Sequence, residues 1–452
     1  MVSLFQRLAI ILILSALTLN SAPLTLDEAI ILLKEQNLEI KTSSLEAKNA
    51  QYDVLLSQGH SYGSLDFTQN TVRSNDAGNV FGFKLSSREA DFGDFGFADF
   101  STTNPNILSI QPHDLNYPGY QNYFQSKLTY AVPLYTGGKL SSYEKIAHEM
   151  EKIKQLDTEN VIAEKIYQIR KSYYDMALLD HTIEQLTAIQ KNITTLQMTT
   201  EEMLKEGYAK KVDLLEVEAK KANVNRMLLE MKANKKLTYH YLSFLLNQNI
   251  TEIITPSNDR ATTVISEADV LANNSDLKIA SHGLKVRSSM VDAANAPFLP
   301  ALGVFAEASS ADNTFLGSFN DHAAYTIGAR LSWNLFNGGV DEHTLEKARI
   351  NRLKASTQLE LAKKGVALQV DKIQTEIESL DYQVNSLEKE LELASEITKN
   401  YEGRYREHLT SMSDLIIKQS AQIEKIINLH MVKNQRNERI FSLEKLSYGV
   451  QQ

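Results

Sequence analysis

The stretches Val132-Pro-Leu-Tyr-Thr-Gly-Gly-Lys139 and Trp333-Asn-Leu-Phe-Asn-Gly-Gly-Val340 decide the fold. In each stretch, a run in which apolar and polar residues alternate, as in a β-strand, ends at Gly-Gly and passes directly into a very long helical pattern. The offset between the second glycines of the two stretches is 339 − 138 = 201. The chain therefore contains an internal duplication.

A second pair of similar stretches repeats this spacing, because the offset between Asp213 and Asp414 is also 414 − 213 = 201. Upstream of the strands, aligning Leu38 with Leu277 gives an offset of 277 − 38 = 239. The difference, 239 − 201 = 38, predicts that the first copy carries 38 extra residues between its two strands.

The duplication predicts the organisation of the whole chain. Each copy has the order helix, strand, loop, strand, long helix, shorter helix, and the loop of the first copy is long. The predicted segments are a signal peptide at 1–22, a first repeat at 23–246, a linker or equatorial segment at 247–265, and a second repeat at 266–452.

Composition favours long, uninterrupted helices and excludes several classes of site and partner. No proline occurs from Leu134 to Thr255 or from Ala301 to Gln452, and an interior proline costs a helix about 3 kcal/mol. The net charge of −9 argues against a nucleic-acid partner. Cysteine is absent, which excludes disulfides, thiolate metal sites and cysteine nucleophiles.

The N-terminus has the pattern of a secretory signal. Arg7 precedes an apolar run from Leu8 to Leu17, and the small-residue segment Asn20-Ser-Ala22 follows. The alternative is a membrane anchor, which would normally need about 20 apolar residues. Because no later stretch is apolar enough to span a bilayer as a helix, we expect any membrane insertion to use β-strands.

Four strand-like runs carry one apolar and one polar face. They lie at Tyr62–Val72, Phe124–Leu134, Leu302–Ala308 and Tyr325–Leu335. Aromatic residues near their ends are typical of transmembrane barrel strands, although a soluble sandwich alternates in the same way. If the strands form a barrel, the polar residues predicted to face its lumen are Gln125, Lys127 and Arg330. The alternative is that these side chains are merely solvated.

The segment Ser74–Tyr120 is predicted to be a long surface loop. It is rich in glycine, asparagine, aspartate and phenylalanine, a composition too polar for a core. Its aromatic residues could form a ligand-binding patch, but packing among themselves is the expected arrangement.

Helix lengths indicate a tube wall. From Leu140 to Glu206 is about 67 residues, or roughly 100 Å of helix, and the helices predicted at Thr25–Gln58 and Ala209–Leu246 together cover the same length. Both long helices carry heptad seams. One chain offers only four strands, whereas a closed membrane barrel usually needs at least eight. The membrane interpretation therefore requires several chains.

Taken together, these features resemble those of the outer-membrane efflux protein family, the TolC-like channel tunnels. Five stretches carry the resemblance over the whole mature chain: the two Gly-Gly corners, the Ala293–Gly303 entry to the third strand, and the duplicated turns Gly207-Tyr208…Asp213-Leu-Leu and His408-Leu409…Asp414-Leu-Ile. The resemblance implies a mixed, mostly α fold: duplicated antiparallel helices form a periplasmic tube, and four strands per chain contribute to a trimeric transmembrane β-barrel.

The resemblance also implies a function. Such proteins are outer-membrane channels of tripartite efflux or type I secretion systems and conduct substrates passively from the periplasm to the outside. The implied partners are two further copies, a periplasmic adaptor (membrane fusion) protein, an inner-membrane transporter and outer-membrane lipid, and no cofactor or metal is expected. A soluble periplasmic coiled-coil scaffold or adaptor is the alternative. No enzyme motif is present.

Site residues follow from the same resemblance. The residues placed at the periplasmic gate are Asp414, Tyr405 and Asp213. The residues placed at the adaptor-contact tips are Gly207, Tyr208, His408 and Leu409. The second turn departs from the family pattern, since His408 replaces a glycine, Thr410 an arginine and Ile417 an aspartate. We therefore expect fewer polar links at this gate. For both aspartates the alternative role is to cap the returning helix.

Overall fold

The computed structural model describes residues 23–256, 265–315, 317 and 321–447. The predicted signal peptide and part of the predicted linker lie outside these ranges. In chain order the elements are α1 Leu26–Gln36, α2 Leu38–Gly59, β1 Ser64–Ser74, α3 Ala77–Ser86, α4 His113–Asn116, β2 Gln121–Thr136, α5 Lys139–Lys205, α6 Lys211–Leu245, α7 Glu267–Asn273, α8 Ser275–Asn295, β3 Ala301–Asp312, β4 Ala323–Ser332, α9 Val340–Arg406 and α10 Met412–Leu446. Of the described helices, none has both the length and the apolar content that a bilayer crossing requires.

The downstream halves of the two copies match residue for residue. Helices α5 and α9 both contain 67 residues, and the offset between their starts is 340 − 139 = 201. Helices α6 and α10 both contain 35 residues, and the offset between their starts is 412 − 211 = 201. The offset predicted from the Gly-Gly corners is confirmed.

The upstream offset is 237, and the predicted value of 239 is wrong. The starts of α2 and α8 give 275 − 38 = 237, and those of β1 and β3 give 301 − 64 = 237. Leu38 is exposed, whereas Ile40 is buried and is the equivalent of buried Leu277. The predicted offset was wrong because sequence similarity alone aligned exposed Leu38 with buried Leu277. The first copy therefore has 237 − 201 = 36 extra residues.

The helix predicted from Thr25 to Gln58 is divided at Asn37. The backbone of Asn37 is extended, with ψ 126°. Its side-chain Oδ1 accepts the Ile40 N–H at 3.0 Å, and its Nδ2 donates to the Leu245 carbonyl at 2.8 Å. One buried side chain thus caps the start of α2 and binds the last turn of α6, which compensates for the interrupted helix.

Asn274 has the same role in the second copy. Its Oδ1 accepts the Leu277 N–H at 3.0 Å, and its Nδ2 donates to the Leu446 carbonyl at 3.2 Å. The offset between the two asparagines is 274 − 37 = 237, which independently supports the corrected value.

The strands form one antiparallel sheet in the order β1-β2-β3-β4, with a register shift between Pro133 and Tyr135. The sheet belongs to a compact unit built from Asn49–Glu151 and Gly283–Ala355. The fourth strand ends at Ser332, before the predicted end at Leu335. A strand pairs only as far as its neighbour continues, and β3 begins opposite Ser332 at Ala301.

The segment predicted to be a long surface loop contains helix α3 and is therefore corrected. Asp76 caps this helix by accepting the Asn79 N–H at 3.0 Å, and Val80 is buried. The predicted packing of the aromatic side chains on one another is confirmed for several of them. For example, the rings of Phe81 and Phe95 are 5.2 Å apart, edge to face.

The other compact unit consists of helices and contains the predicted heptad seams. The buried seam residues of α5 include Ile166, Ile169, Tyr173, Met176, Leu186, Ile189, Ile193 and Leu196. Those of α9 include Val370, Ile373, Ile377 and Leu380. At Ile253 the chain also forms an isolated parallel bridge with Leu24.

Candidate functional site: the helical turns and the polar face of the sheet

The turn between α5 and α6 is closed by a left-handed glycine. Gly207 has φ 81°, the Tyr208 N–H donates to the Met203 carbonyl at 2.7 Å, and the Gly207 N–H donates to the Leu204 carbonyl at 3.2 Å. This pattern is the Schellman motif, which satisfies carbonyls that a helix end leaves without partners. The side chain of Tyr208 is 72% exposed.

The turn between α9 and α10 has the same geometry without a glycine. His408 has φ 63°, its N–H donates to the Tyr405 carbonyl at 3.0 Å, and the Leu409 N–H donates to the Arg404 carbonyl at 2.8 Å. A residue with a side chain is strained in this conformation. Leu409 is exposed.

The structure brings the two turns together. The rings of Tyr208 and His408 are 5.4 Å apart and tilted by 38°. All four residues predicted at the tips therefore lie at one end of the helical unit. They are solvent-accessible in a single chain.

Asp213 and Asp414 occupy the third position of their helices. Asp213 accepts the Lys210 N–H at 2.7 Å, and Asp414 accepts the Ser411 hydroxyl at 2.6 Å. Ser411 in turn accepts the Asp414 N–H at 3.1 Å. The side-chain hydrogen bond from Ser411 lowers the pKa of Asp414, so this exposed carboxylate stays ionised. Lys210 and Ser411 are the N-cap residues, so neither aspartate has the capping position itself. Each aspartate instead supports the helix start through a hydrogen bond with the N-cap residue, and the charge of Asp414 remains in solvent.

Tyr405 joins the two hairpins. Its side chain is buried among apolar residues of all four helices, including Leu196, Val217 and Leu415. Its hydroxyl lies 3.3 Å from the Thr200 hydroxyl on α5. Burial, together with the nearby charge of Asp213, raises the pKa of Tyr405. Tyr405 and Asp213, which were both predicted for the gate, are therefore neighbours.

Two further links between the hairpins were not predicted from the sequence. The Ser413 hydroxyl donates to the Glu216 carboxylate at 2.9 Å, and the Lys220 ammonium donates to the Ser420 hydroxyl at 2.7 Å. Lys220 is buried, which lowers its pKa. The burial of Lys220 could not be predicted from the sequence, because the helix carries many other charged residues that are exposed. Of the substituted family positions, Thr410 lies 3.5 Å from Asp414, and Ile417 is exposed.

The three residues predicted for the lumen lie on one face of the sheet. Lys127 pairs with Ser309 of β3, and Ser309 pairs with Ala324 of β4. Side chains alternate along a strand, so Gln125, Lys127 and Arg330 share this face. We refer to it as the polar face. The opposite face is mostly apolar, although Gln69 and Ser126 also lie on it. In one chain it is exposed at Leu65, Phe67, Tyr325, Ile327 and Leu331.

Charged groups on the polar face have partners within the sheet. Lys127 forms an ion pair with Glu307 at 2.8 Å, and Gln125 accepts the Asn70 amide at 3.1 Å. The Arg330 guanidinium lies 5.9 Å from the centre of the Phe305 ring. Such partly solvated pairs contribute little to stability. The polar face therefore carries side chains of both charges.

Comparison with known proteins identifies a protein family that matches most of the chain. A model of the outer membrane efflux protein family matches residues 29–248 and 267–447. The solvent efflux pump outer membrane protein SrpC of Pseudomonas putida is 29% identical over 142 residues, which are 30% of this chain and 28% of that protein. The aligned region thus spans less than a third of that curated relative.

Two solved structures share the fold over nearly the full length. A membrane protein from Pseudomonas aeruginosa superposes with a TM-score of 0.78 at 14% identity, covering 93% of this chain and 90% of that one. The outer membrane protein VceC from Vibrio cholerae gives 0.77 at 16% identity, covering 94% and 96%.

Proposed function

The chain belongs to the outer membrane efflux protein family, and we propose that it is the outer-membrane channel of a tripartite efflux or type I secretion system. Three copies would enclose one lumen and conduct solutes passively from the periplasm to the outside. The observation that carries this proposal is the sheet, which has a polar face, an exposed apolar face and, within the described residues, two edges without a paired strand.

The open edges require other chains. Among the described residues, neither β1 nor β4 pairs on its outer side. Unpaired backbone groups are costly in hydrocarbon, so a sheet placed in a bilayer must close on itself. Closure by three copies gives twelve strands, with the polar face inside and the apolar face toward lipid. The apolar residues exposed in one chain would then be covered.

The helical turns supply the proposed contact with other components. Tyr208 is exposed beside the glycine-closed turn, and Leu409 is exposed beside the strained turn. Exposed aromatic and aliphatic side chains at a rigid turn are suited to protein contact. We assign these tips to a periplasmic adaptor protein that would connect the channel to an inner-membrane transporter.

The gate is proposed at the same end. Tyr405 holds α9 against α5 through Thr200, and Ser413 holds α10 against α6 through Glu216. Breaking such links would free one hairpin to move relative to the other. In a three-chain assembly, the ionised Asp414 would be present three times around the passage and would attract cations.

The alternative, a soluble periplasmic scaffold or adaptor, is disfavoured by the sheet. A soluble protein would leave Phe67, Tyr325 and Ile327 in water on one continuous face. Large exposed apolar faces of this kind mark association or membrane contact.

The test is fractionation followed by mass determination. We expect the protein in the outer-membrane fraction, resistant to carbonate extraction, with a detergent-corrected mass of three chains, each of 50.8 kDa less the predicted signal peptide. The purified protein should form ion-conducting pores in planar bilayers. A monomer recovered from the soluble periplasm would overturn the proposal.

A further inference from the structure

Helix α3 lies on the polar face of the sheet. The ring of Phe83 stacks on that of Tyr123, with centres 4.3 Å apart and planes within 12°. Tyr123 is on β2, two and four positions before Gln125 and Lys127, so its side chain shares their face. Tyr123 and Val80 are buried by this packing.

This contact is at the end of the sheet away from the long helices. Strand β2 begins at Gln121 and continues at its other end into α5. Tyr123 is therefore near the start of the strand, and its partner on β1, Val72, is near the end of that strand. In a channel whose tube is periplasmic, this end of the lumen is the outer mouth.

Helix α3 contacts β2, and the residues at its two ends lie near opposite sides of the sheet. It begins at Ala77, shortly after β1, the first strand of the sheet. Beyond its other end, the Arg88 guanidinium donates to the Asp321 carbonyl at 3.3 Å, in the connection between β3 and β4. A ten-residue helix is about 15 Å long, and four strands span roughly 14 Å. The length of the helix thus matches the width of the sheet.

Local contacts fix both ends of the helix. At its start, Asp76 accepts the Asn79 N–H. At its end, the buried Ser87 hydroxyl donates to the Phe83 carbonyl at 2.9 Å, and Arg88 takes a left-handed conformation with φ 56°. Lys84, in the last turn, forms an ion pair with Asp94 in the following segment.

We propose that α3 is a crossbar that narrows the outer mouth of the channel and sets the largest solute that passes. This inference rests on the proposed function, because only closure by three copies makes the polar face a lumen. Twelve strands tilted by about 40° enclose a ring roughly 24 Å across. Three helices, each about 10 Å wide with side chains, would fill most of that cross-section.

The test measures access to the lumen from outside the cell, which does not depend on the periplasmic gate. The natural chain has no cysteine, so one introduced thiol can be followed alone. Thr326→Cys places a thiol on the polar face, since Thr326 pairs with Glu307. Ile327→Cys places one on the apolar face. Whole cells are treated with membrane-impermeant maleimides of increasing size. Labelling of the denatured protein gives the reference value for complete labelling.

The comparison is between the intact chain and a variant in which residues 77–118 are replaced by a short Gly-Ser turn. For Thr326→Cys in the intact chain, we expect labelling by small maleimides and loss of labelling by large ones. Removing the crossbar should restore labelling by the large reagents. The variant must remain trimeric in detergent.

A second variant avoids the deletion. A Cβ atom added at Gly82 meets nothing within 4 Å, so Gly82→Cys should leave α3 intact. Attaching a bulky maleimide to this thiol should prevent subsequent ion flow through bilayer-inserted channels opened at the gate.

The outcomes separate the two proposals. The crossbar inference is wrong if large maleimides label Thr326→Cys equally well with and without the crossbar, or if modified Gly82→Cys channels conduct normally. Neither result contradicts the proposed channel function. If Ile327→Cys and Thr326→Cys label alike with small reagents, the polar face does not line a lumen, and the proposed function itself fails.

Discussion

His408 holds the same left-handed backbone conformation as Gly207, its counterpart in the first copy, with φ values of 63° and 81°. Only the second hairpin therefore stores strain at its turn. Left-handed conformations cost side-chain-bearing residues roughly 1–2 kcal/mol.

The first prediction concerns this strain. His408→Gly relieves it but loses the contact with Tyr208, whereas His408→Ala loses the contact and keeps the strain. We expect the glycine variant to be more stable than the alanine variant by about 1 kcal/mol, measured by thermal unfolding in detergent. Equal stability would show that the turn relaxes around the histidine.

The second prediction concerns the bond between Tyr405 and Thr200. Tyr405→Phe keeps the buried ring and removes the hydroxyl, so stability should fall by about 1 kcal/mol or less. We expect the open probability in planar bilayers to rise, because a link between the hairpins is lost. Tyr401→Phe, one turn earlier, is the matched control.

Thr200→Ala tests the pairing itself. If the two hydroxyls act through one another, Tyr405→Phe should add nothing in the Thr200→Ala background. Additive effects would mean that the tyrosine hydroxyl acts through another group.

The third prediction concerns the charge of Asp414. Asp414→Asn should weaken cation selectivity, seen as a smaller reversal potential across a salt gradient, while Asp414→Glu retains it. An unchanged reversal potential in the asparagine variant would show that Asp414 does not line the passage.

The fourth prediction compares the first glycines of the two corners, Gly137 and Gly338, which both have positive φ. A Cβ at Gly137 would lie 2.5 Å from the Ala296 carbonyl oxygen, whereas one at Gly338 meets nothing within 4 Å. Gly338→Ala should cost about 1 kcal/mol of backbone strain. Gly137→Ala should cost clearly more, because the backbone must also move. Similar losses in thermal unfolding would contradict the geometry.

The fifth prediction concerns pH. Burial raises the pKa of Asp175 to about 6, with Lys171 opposing the shift and Glu438 adding to it. The folded state therefore binds this proton more tightly than the unfolded state does, and the associated stabilisation, complete below about pH 4, is lost as pH rises through 6. Asp175→Asn should remove that loss. Its stability relative to the natural chain should rise by on the order of 2 kcal/mol between pH 4 and pH 7. A difference independent of pH would refute the assignment.

The long helices and the sheet were predictable because local patterns encode them. The Gly-Gly corners fix the strand-to-helix junctions, and the heptad seams fix the buried stripes of α5 and α9. The break at Asn37 was not predictable because apolar spacing continues across it. The hydrogen bond that compensates for the break joins Asn37 to Leu245, 208 residues away.

The candidate site was only partly predictable for the same reason. The turns at Gly207 and His408 follow from duplicated sequence, and alternation places Lys127 and Arg330 on one face. The partner of Tyr405 is 205 residues distant, and no local pattern indicates it. Helix α3 was hidden by a glycine- and asparagine-rich composition, and its packing on the sheet through Phe83 is a contact that no local pattern indicates.

The asparagine junctions also restrict how the chain can change in length. Each asparagine binds the end of a returning helix, so an insertion in α5 or α9 would shift that end and break the junction unless another helix lengthened equally. This explains why both copies retain helices of 67 and 35 residues. The excess of the first copy lies instead between β1 and β2, where no such junction is affected by added residues. Insertions and deletions that persist in relatives should therefore concentrate there.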